Sequence, residues 1–177
     1  MKIRRAVVDD AKGIADVHVR SWQETYKGIV AQAYLDNLKV EDRFRMWEAG
    51  LSSKTDKEPV YVAENSAGDI IGFAAFGPER TNKFGADGEL YAIYLLEDYK
   101  GRKIGTALLS AGVKDLLSDY SSILVWVLAE NNSKLFYEKY EPTKVAEEEI
   151  TIAGGKHIEI AYVWKDIELL NRKLLTI

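Results

Sequence analysis

The sequence predicts a mixed α/β fold: a twisted, mostly antiparallel sheet of about seven strands with helices on both faces. Three observations lead there. The order of periodicities runs from a short β-prone start through a mostly helical N-terminal third to three β-like runs, a helix, an apolar run, a short helix and two last strands. One crossover helix joins adjacent strand signals, while turn residues join the others, so parallel pairing is confined to one place. The chain of 177 residues, 47% of them apolar, shows no repeat, low-complexity tract or Pro/Ser-rich linker, which suits one compact domain over 1–177.

Each element has its local reason. Ile3 to Val7 is short and β-prone. Asp9 or Asp10 offers an N-cap for a helix that places Ala11, Ile14, Ala15, His18 and Trp22 on one face. Gly28 interrupts the chain after Tyr26. A second helical stretch carries Tyr34, Leu35 and Leu38, and a third runs from about Glu41 to Leu51. Pro59 to Glu64 alternates, the polar run Asn65 to Asp69 turns, and Ile70 to Phe76 pairs back. After a polar loop from Gly77 to Gly88 comes a strand from Glu89 to Leu96. The next helix has an apolar face of Ile104, Leu108, Leu109, Gly112, Val113, Leu116 and Leu117. Ile123 to Leu128 is apolar throughout, as in a strand buried on both faces. A short helix spans Ser133 to Tyr140, two strands flank Gly154-Gly155, and Asp166 to Leu175 closes the chain as a helix.

Composition excludes several functions. The net charge of -4 argues against nonspecific binding to nucleic acid or to an anionic membrane. With no cysteine there is no disulfide, thiolate metal site or cysteine nucleophile. His18 reads as a core residue and His157 as exposed near a turn, so no metal motif is expected. The charged N-terminus does not look like a signal peptide, and no run approaches the roughly 20 apolar residues of a membrane span. The expected location is the cytoplasm.

One segment carries chemistry: Lys100-Gly101-Arg102-Lys103-Ile104-Gly105-Thr106, between a strand and a helix. Its glycines allow a tight turn and close approach of a ligand. The first helical N–H groups lack intrahelical partners and sit at a positive dipole end. Together with three basic side chains they form an anion pocket that suits a pyrophosphate. The spacing fits neither a P-loop nor a dinucleotide-binding G-x-G-x-x-G. A basic turn that merely caps a helix is the plain alternative.

The run from Glu89 to Leu109, with Lys100 to Thr106 at its centre, resembles the acetyl-CoA motif of the GNAT superfamily of N-acetyltransferases, Q/R-x-x-G-x-G/A between strand and helix. Trp126 to Lys139, with Asn131 and Phe136-Tyr137-Glu138-Lys139, resembles the second strand and the "FYEK" helix of that family. His18 to Ile29 is similar to its first-helix stretch. The departures are Lys103 at the first motif glycine, Lys100 for Gln or Arg, Glu97 for proline, and Tyr140-Glu141-Pro142 for Leu-Gly-Phe.

The resemblance implies a splayed pair of parallel strands with pantetheine in the gap, and acetyl-CoA as cosubstrate without a metal. It implies backbone bonds to the cosubstrate from Ile93, Tyr94 and Leu95, with the Leu95 N–H facing the oxyanion. It implies a pyrophosphate cradle from Lys100, Gly101, Arg102, Lys103, Ile104, Gly105 and Thr106, and a pantetheine contact from Asn131. Tyr137 stands where a proton donor to the thiolate is expected, Glu89 is the candidate base, and Glu130 is its rival. Trp22 and Tyr26, with Tyr34, stand where the acceptor is walled. The partner implied is a small-molecule or peptide amine; neither nucleic acid nor membrane is expected. The C-terminal strands and Leu169, Leu170, Leu174 and Leu175 form a candidate homodimer contact. The alternatives are a non-catalytic acyl-CoA-binding domain and a nucleotide-binding module.

Overall fold

A computed structural model of the chain describes residues 1–53 and 55–176. The strands are β1 (Lys2–Arg5), β2 (Val60–Glu64), β3 (Ile70–Pro78), β4 (Gly88–Leu95), β5 (Ile123–Leu128), β6 (Thr143–Ile152) and β7 (Gly155–Trp164). The helices are α1 (Ala11–Thr25), α2 (Gln32–Asp36), α3 (Val40–Ser53), α4 (Ile104–Leu116), α5 (Lys134–Glu138) and α6 (Ile167–Leu175). The strands form one sheet in the order β1-β2-β3-β4-β5-β7-β6. Only β4 and β5 run parallel; the other neighbours are antiparallel.

Helices cover both faces, as the two-layer rule requires of a sheet that is apolar on each side. On one face α1 packs against α3 and β3. Trp47 of α3 donates from Nε1 to His18 Nδ1 at 3.1 Å, and its ring meets Phe73 edge-on. On the other face α4 packs on β2, β3 and β4 and receives α6. Ile104, Leu108, Leu109, Gly112, Val113 and Leu116 are buried there, and Leu117 is only half-buried. Gly112 lets the helix approach closely, since a Cβ on it would stand 2.0 Å from the Phe76 ring. Leu170 and Leu174 face this core, while Leu169 and Leu175 are exposed.

The start of the parallel pair is tied by side chains. Asp87 accepts bonds from the amides and hydroxyls of both Ser121 and Ser122, at 2.8–2.9 Å. Gly88 N–H donates to Ser122 O at 3.0 Å. The segment entering β4 is thereby clamped to the segment entering β5.

Several expectations are corrected. Asp10 does not cap α1 with its side chain; its carboxylate takes two bonds from Arg4 and one from the Val7 amide, and a 3₁₀ turn (Val8–Asp10) leads into the helix. The last hairpin turns on Ala153 and Gly154, both with positive φ, and Gly155 already belongs to β7. That pair of left-handed residues is what a two-residue hairpin of this twist requires. The helix expected over 133–140 is the shorter α5. His157 is buried, not exposed, with Nδ1 3.0 Å from Glu130 Oε2.

Candidate active site

β4 and β5 are in register only at Gly88 with Ile123, Glu89 with Leu124 and Leu90 with Val125. Beyond that they separate, yet β3 pairs with β4 as far as Leu95, and β7 with β5 as far as Leu128. Each strand is thus held on its outer side and freed on its inner side. A cavity of about 990 Å³ runs through the gap. Ile93, Tyr94 and Leu95 line it from β4, and Trp126, Val127 and Leu128 from β5.

One end of the cavity is built for an anion. Gly101 has φ 73° and Lys103 φ 61°, so the chain turns twice through the left-handed region before α4 begins at Ile104. Among the described residues no side-chain hydrogen bond caps α4, and its first internal bond runs from Ala107 N to Lys103 O. The amides of Ile104, Gly105 and Thr106 therefore have no intrahelical partner and sit at the positive end of the helix dipole. A Cβ on Gly101 would meet nothing within 4 Å, so this turn is open. Lys100, Gly101, Lys103, Ile104, Gly105 and Thr106 all line the cavity; Arg102 does not, and lies over the Tyr99 ring. Lys100 Nζ bonds Glu97 at 2.5 Å, and the Thr106 hydroxyl meets Tyr140 OH at 2.7 Å.

The middle of the cavity is aromatic. Trp22 donates from Nε1 to Tyr94 OH at 3.0 Å, and His18 stacks on the Tyr94 ring with centroids 5.4 Å apart. Tyr26 packs on Trp22 at 4.6 Å and lines the cavity beside Tyr94 and Asn131. Tyr34 touches Trp22 from the surface and does not line the cavity. Asn131 lines it too, but its Oδ1 also accepts the Ser133 amide at 2.8 Å, so it shapes the turn into α5. Tyr137 is buried, and among the described residues its hydroxyl has no hydrogen-bond partner. Desolvation, and secondarily the nearby Tyr26, push its pKa far above the usual phenol range, and desolvation does the same for Tyr94. Both phenols stay protonated at neutral pH.

Carboxylates stand on the opposite side of the sheet from α4. Glu89 is only 1% exposed, and Arg80 holds it through Nη2 at 2.5 Å, Nε at 3.1 Å and its own amide at 3.2 Å. Glu159 of β7 also lines the cavity, opposite Leu128 of β5 and Glu148 of β6. Glu130 is exposed, engaged by His157, and outside the cavity lining. Sequence reasoning missed Arg80 and Glu159. Arg80 lies in the polar loop and gives no periodic signal. Glu159 did leave one: it shares a strand face with Ala161 and Val163, where an acidic residue stands out. Among the described residues no three His, Cys, Asp or Glu gather as a metal site, and no helix is long and apolar enough to cross a membrane.

Comparison with known proteins bears on this arrangement. A family model described as an acetyltransferase (GNAT) domain matches residues 56–141. The uncharacterized N-acetyltransferase YuaI of Bacillus subtilis (strain 168) is 40% identical over 173 residues, 97% of each chain. An N-acetyltransferase structure from Staphylococcus aureus Mu50 superposes with a TM-score of 0.70 at 18% identity, covering 94% of this chain and 98% of that one. The PaiA N-acetyltransferase of Thermoplasma acidophilum, solved in complex with coenzyme A, gives 0.62 at 21% identity, covering 90% and 96%. At these identities the two structures speak for the fold.

Proposed function

The chain belongs to the GNAT family of N-acetyltransferases, and on that premise we propose that it moves an acetyl group from acetyl-CoA onto a primary amine of a small molecule or peptide. The observation that carries this reading is the gap between β4 and β5 beside an uncapped helix start. A strand edge without a neighbour suits an extended amide chain such as pantetheine, and bare helical amides suit a diphosphate. The residues present fit the cosubstrate.

The thioester carbonyl that acetyl-CoA supplies is the electrophile. The backbone of Ile93, Tyr94 and Leu95 lies along the gap, and the Leu95 N–H is our candidate donor to the oxyanion. Gly101, Lys103, Ile104, Gly105 and Thr106 hold the diphosphate by amides, with Lys100 and Arg102 adding charge from the rim. Asn131 orients the arm. Tyr137, kept protonated by burial and aimed at the cavity, gives its proton to the departing thiolate. The amine's proton leaves through water to Glu89, which Arg80 holds in place. Trp22 and Tyr26 wall the acceptor, with aromatic faces suited to a cationic amine.

Release of free CoA across a panel of primary amines tests the reaction, and turnover is expected. Cofactor binding without turnover on any amine would instead mark a binding domain. Tyr137→Phe should lower kcat by roughly a hundredfold while acetyl-CoA affinity stays within about twofold. An unchanged kcat removes Tyr137 from the chemistry.

A further inference from the structure

The acceptor side of the cavity carries one carboxylate more than it has cations. Glu89 is clamped by Arg80, and Glu148 pairs with Lys83 at 3.2 Å. Glu159 is half-buried and lines the same space, and among the described residues it has neither a hydrogen bond nor an ion pair. Its cross-strand neighbours are Leu128, which is apolar, and Glu148, which carries the same charge. Arg80, a cation whose field reaches it, is already committed to Glu89. Like charges directly opposite on a sheet face are unfavourable. Burial first, and the Glu148 charge second, accordingly lift Glu159 above the ordinary glutamate range.

Glu159 is also close to the reacting centre. It lines the same cavity as Tyr26, Tyr94 and Asn131, and its charge acts on Tyr26. Leu128, its partner on β5, packs with Tyr26 and Trp22. The carboxylate therefore faces the aromatic pocket, on the side of the sheet away from α4. A contact with the reacting nitrogen would be counterproductive, because a carboxylate holds an amine in the protonated form that cannot attack.

We infer that Glu159 anchors a second cationic group of the acceptor, so that the substrate is an amine bearing one further positive charge a few atoms from the nitrogen that is acetylated. This rests on the acetyl-transfer reading. One uncompensated carboxylate calls for one extra cation. A charge-assisted bond to it in a partly desolvated pocket makes a tenfold to hundredfold difference in affinity, on the order of 1.4–2.7 kcal/mol.

Three matched amines test this: 1,5-diaminopentane, 1-aminopentane and 5-aminopentanoate, whose far ends are positive, neutral and negative. Calorimetry on CoA-saturated protein should show the diamine binding at least about tenfold tighter than the monoamine, with the amino acid weakest. In Glu159→Gln the diamine-to-monoamine ratio should fall below about threefold, and Glu159→Lys should turn the preference toward 5-aminopentanoate. Glu149→Gln, a change on the opposite face of β6 where Glu149 pairs with Lys156, should keep the wild-type ratio. Equal affinities for diamine and monoamine in the wild type, or a ratio that survives both Glu159 variants, would overturn the inference. Steady-state acetylation of the same compounds separates it from its premise. Diamine preference in binding without acetylation of any amine leaves the anchor standing and removes the transferase reading. Acetylation of 1-aminopentane without a diamine preference does the reverse.

Discussion

Lys103 occupies a backbone conformation that favours glycine, at the N-cap of α4. The strain of a left-handed L-residue is about 1–2 kcal/mol, and glycine gives back about 0.5–1 kcal/mol through its freer unfolded chain. Lys103→Gly should thus raise stability by about 0.5–1 kcal/mol, read from urea unfolding. The same change removes a positive charge from the cavity wall, and CoA affinity should drop severalfold at low salt. Greater stability with unchanged affinity would leave the lysine's charge without a role. His18 supplies a second test. Desolvation, and secondarily Arg43, push it down to about 4 from an unfolded value near 6.5. The unfolded chain therefore binds the extra proton first, and stability is full above pH 6.5 and declines as pH falls toward 4. The shift amounts to about 3 kcal/mol. The urea midpoint should fall across that window, and His18→Phe should flatten the fall.

At the scale of elements, α4 does two jobs: its start presents donors to the cavity, and its middle rests on β3. Gly112→Ala should cost about 2 kcal/mol or more, because the added methyl must displace the Phe76 ring, and thermal unfolding would measure it. A change of under 0.5 kcal/mol would mean that the ring yields freely. These elements were readable in the sequence because their patterns are local. The 3.6-residue stripe of α4, the all-apolar β5 and the glycine-bearing turn before α4 each announce themselves within a dozen residues. The clamp of Arg80 on Glu89 was not readable, since it forms when a polar loop folds back on the strand that follows. Asp10 was misjudged for a related reason. A guanidinium six residues upstream competes for the carboxylate more strongly than a helical amide does.

Across the whole molecule, the clamp of Asp87 on Ser121 and Ser122 decides where the two strands of the gap begin. Desolvation would raise this carboxyl, but the bonds from Ser121 and Ser122 outweigh it and hold Asp87 at about 2. A depressed carboxylate contributes stability that is present above its unfolded value near 3.8 and is lost as pH falls toward 2. Because the side chain is exposed, the contribution is of order 1 kcal/mol after screening. Asp87→Asn should remove that part of the acid dependence, followed by circular dichroism from pH 5 to 2. An unaltered acid profile would show the clamp to be energetically idle.

The gap also has a mechanical consequence. Within the sheet, among the described residues, only three strand pairings, backed at one end by the Asp87 clamp, stitch the four-stranded plate β1–β4 to the three-stranded plate β5–β7. A crack that begins at their far ends can lengthen by breaking few bonds. A guest lying in it, bonded to both lips, would act as a suture. Amide hydrogen exchange in β5 and the end of β4 should then slow together when CoA is added, whereas β1 and β2 stay as they were.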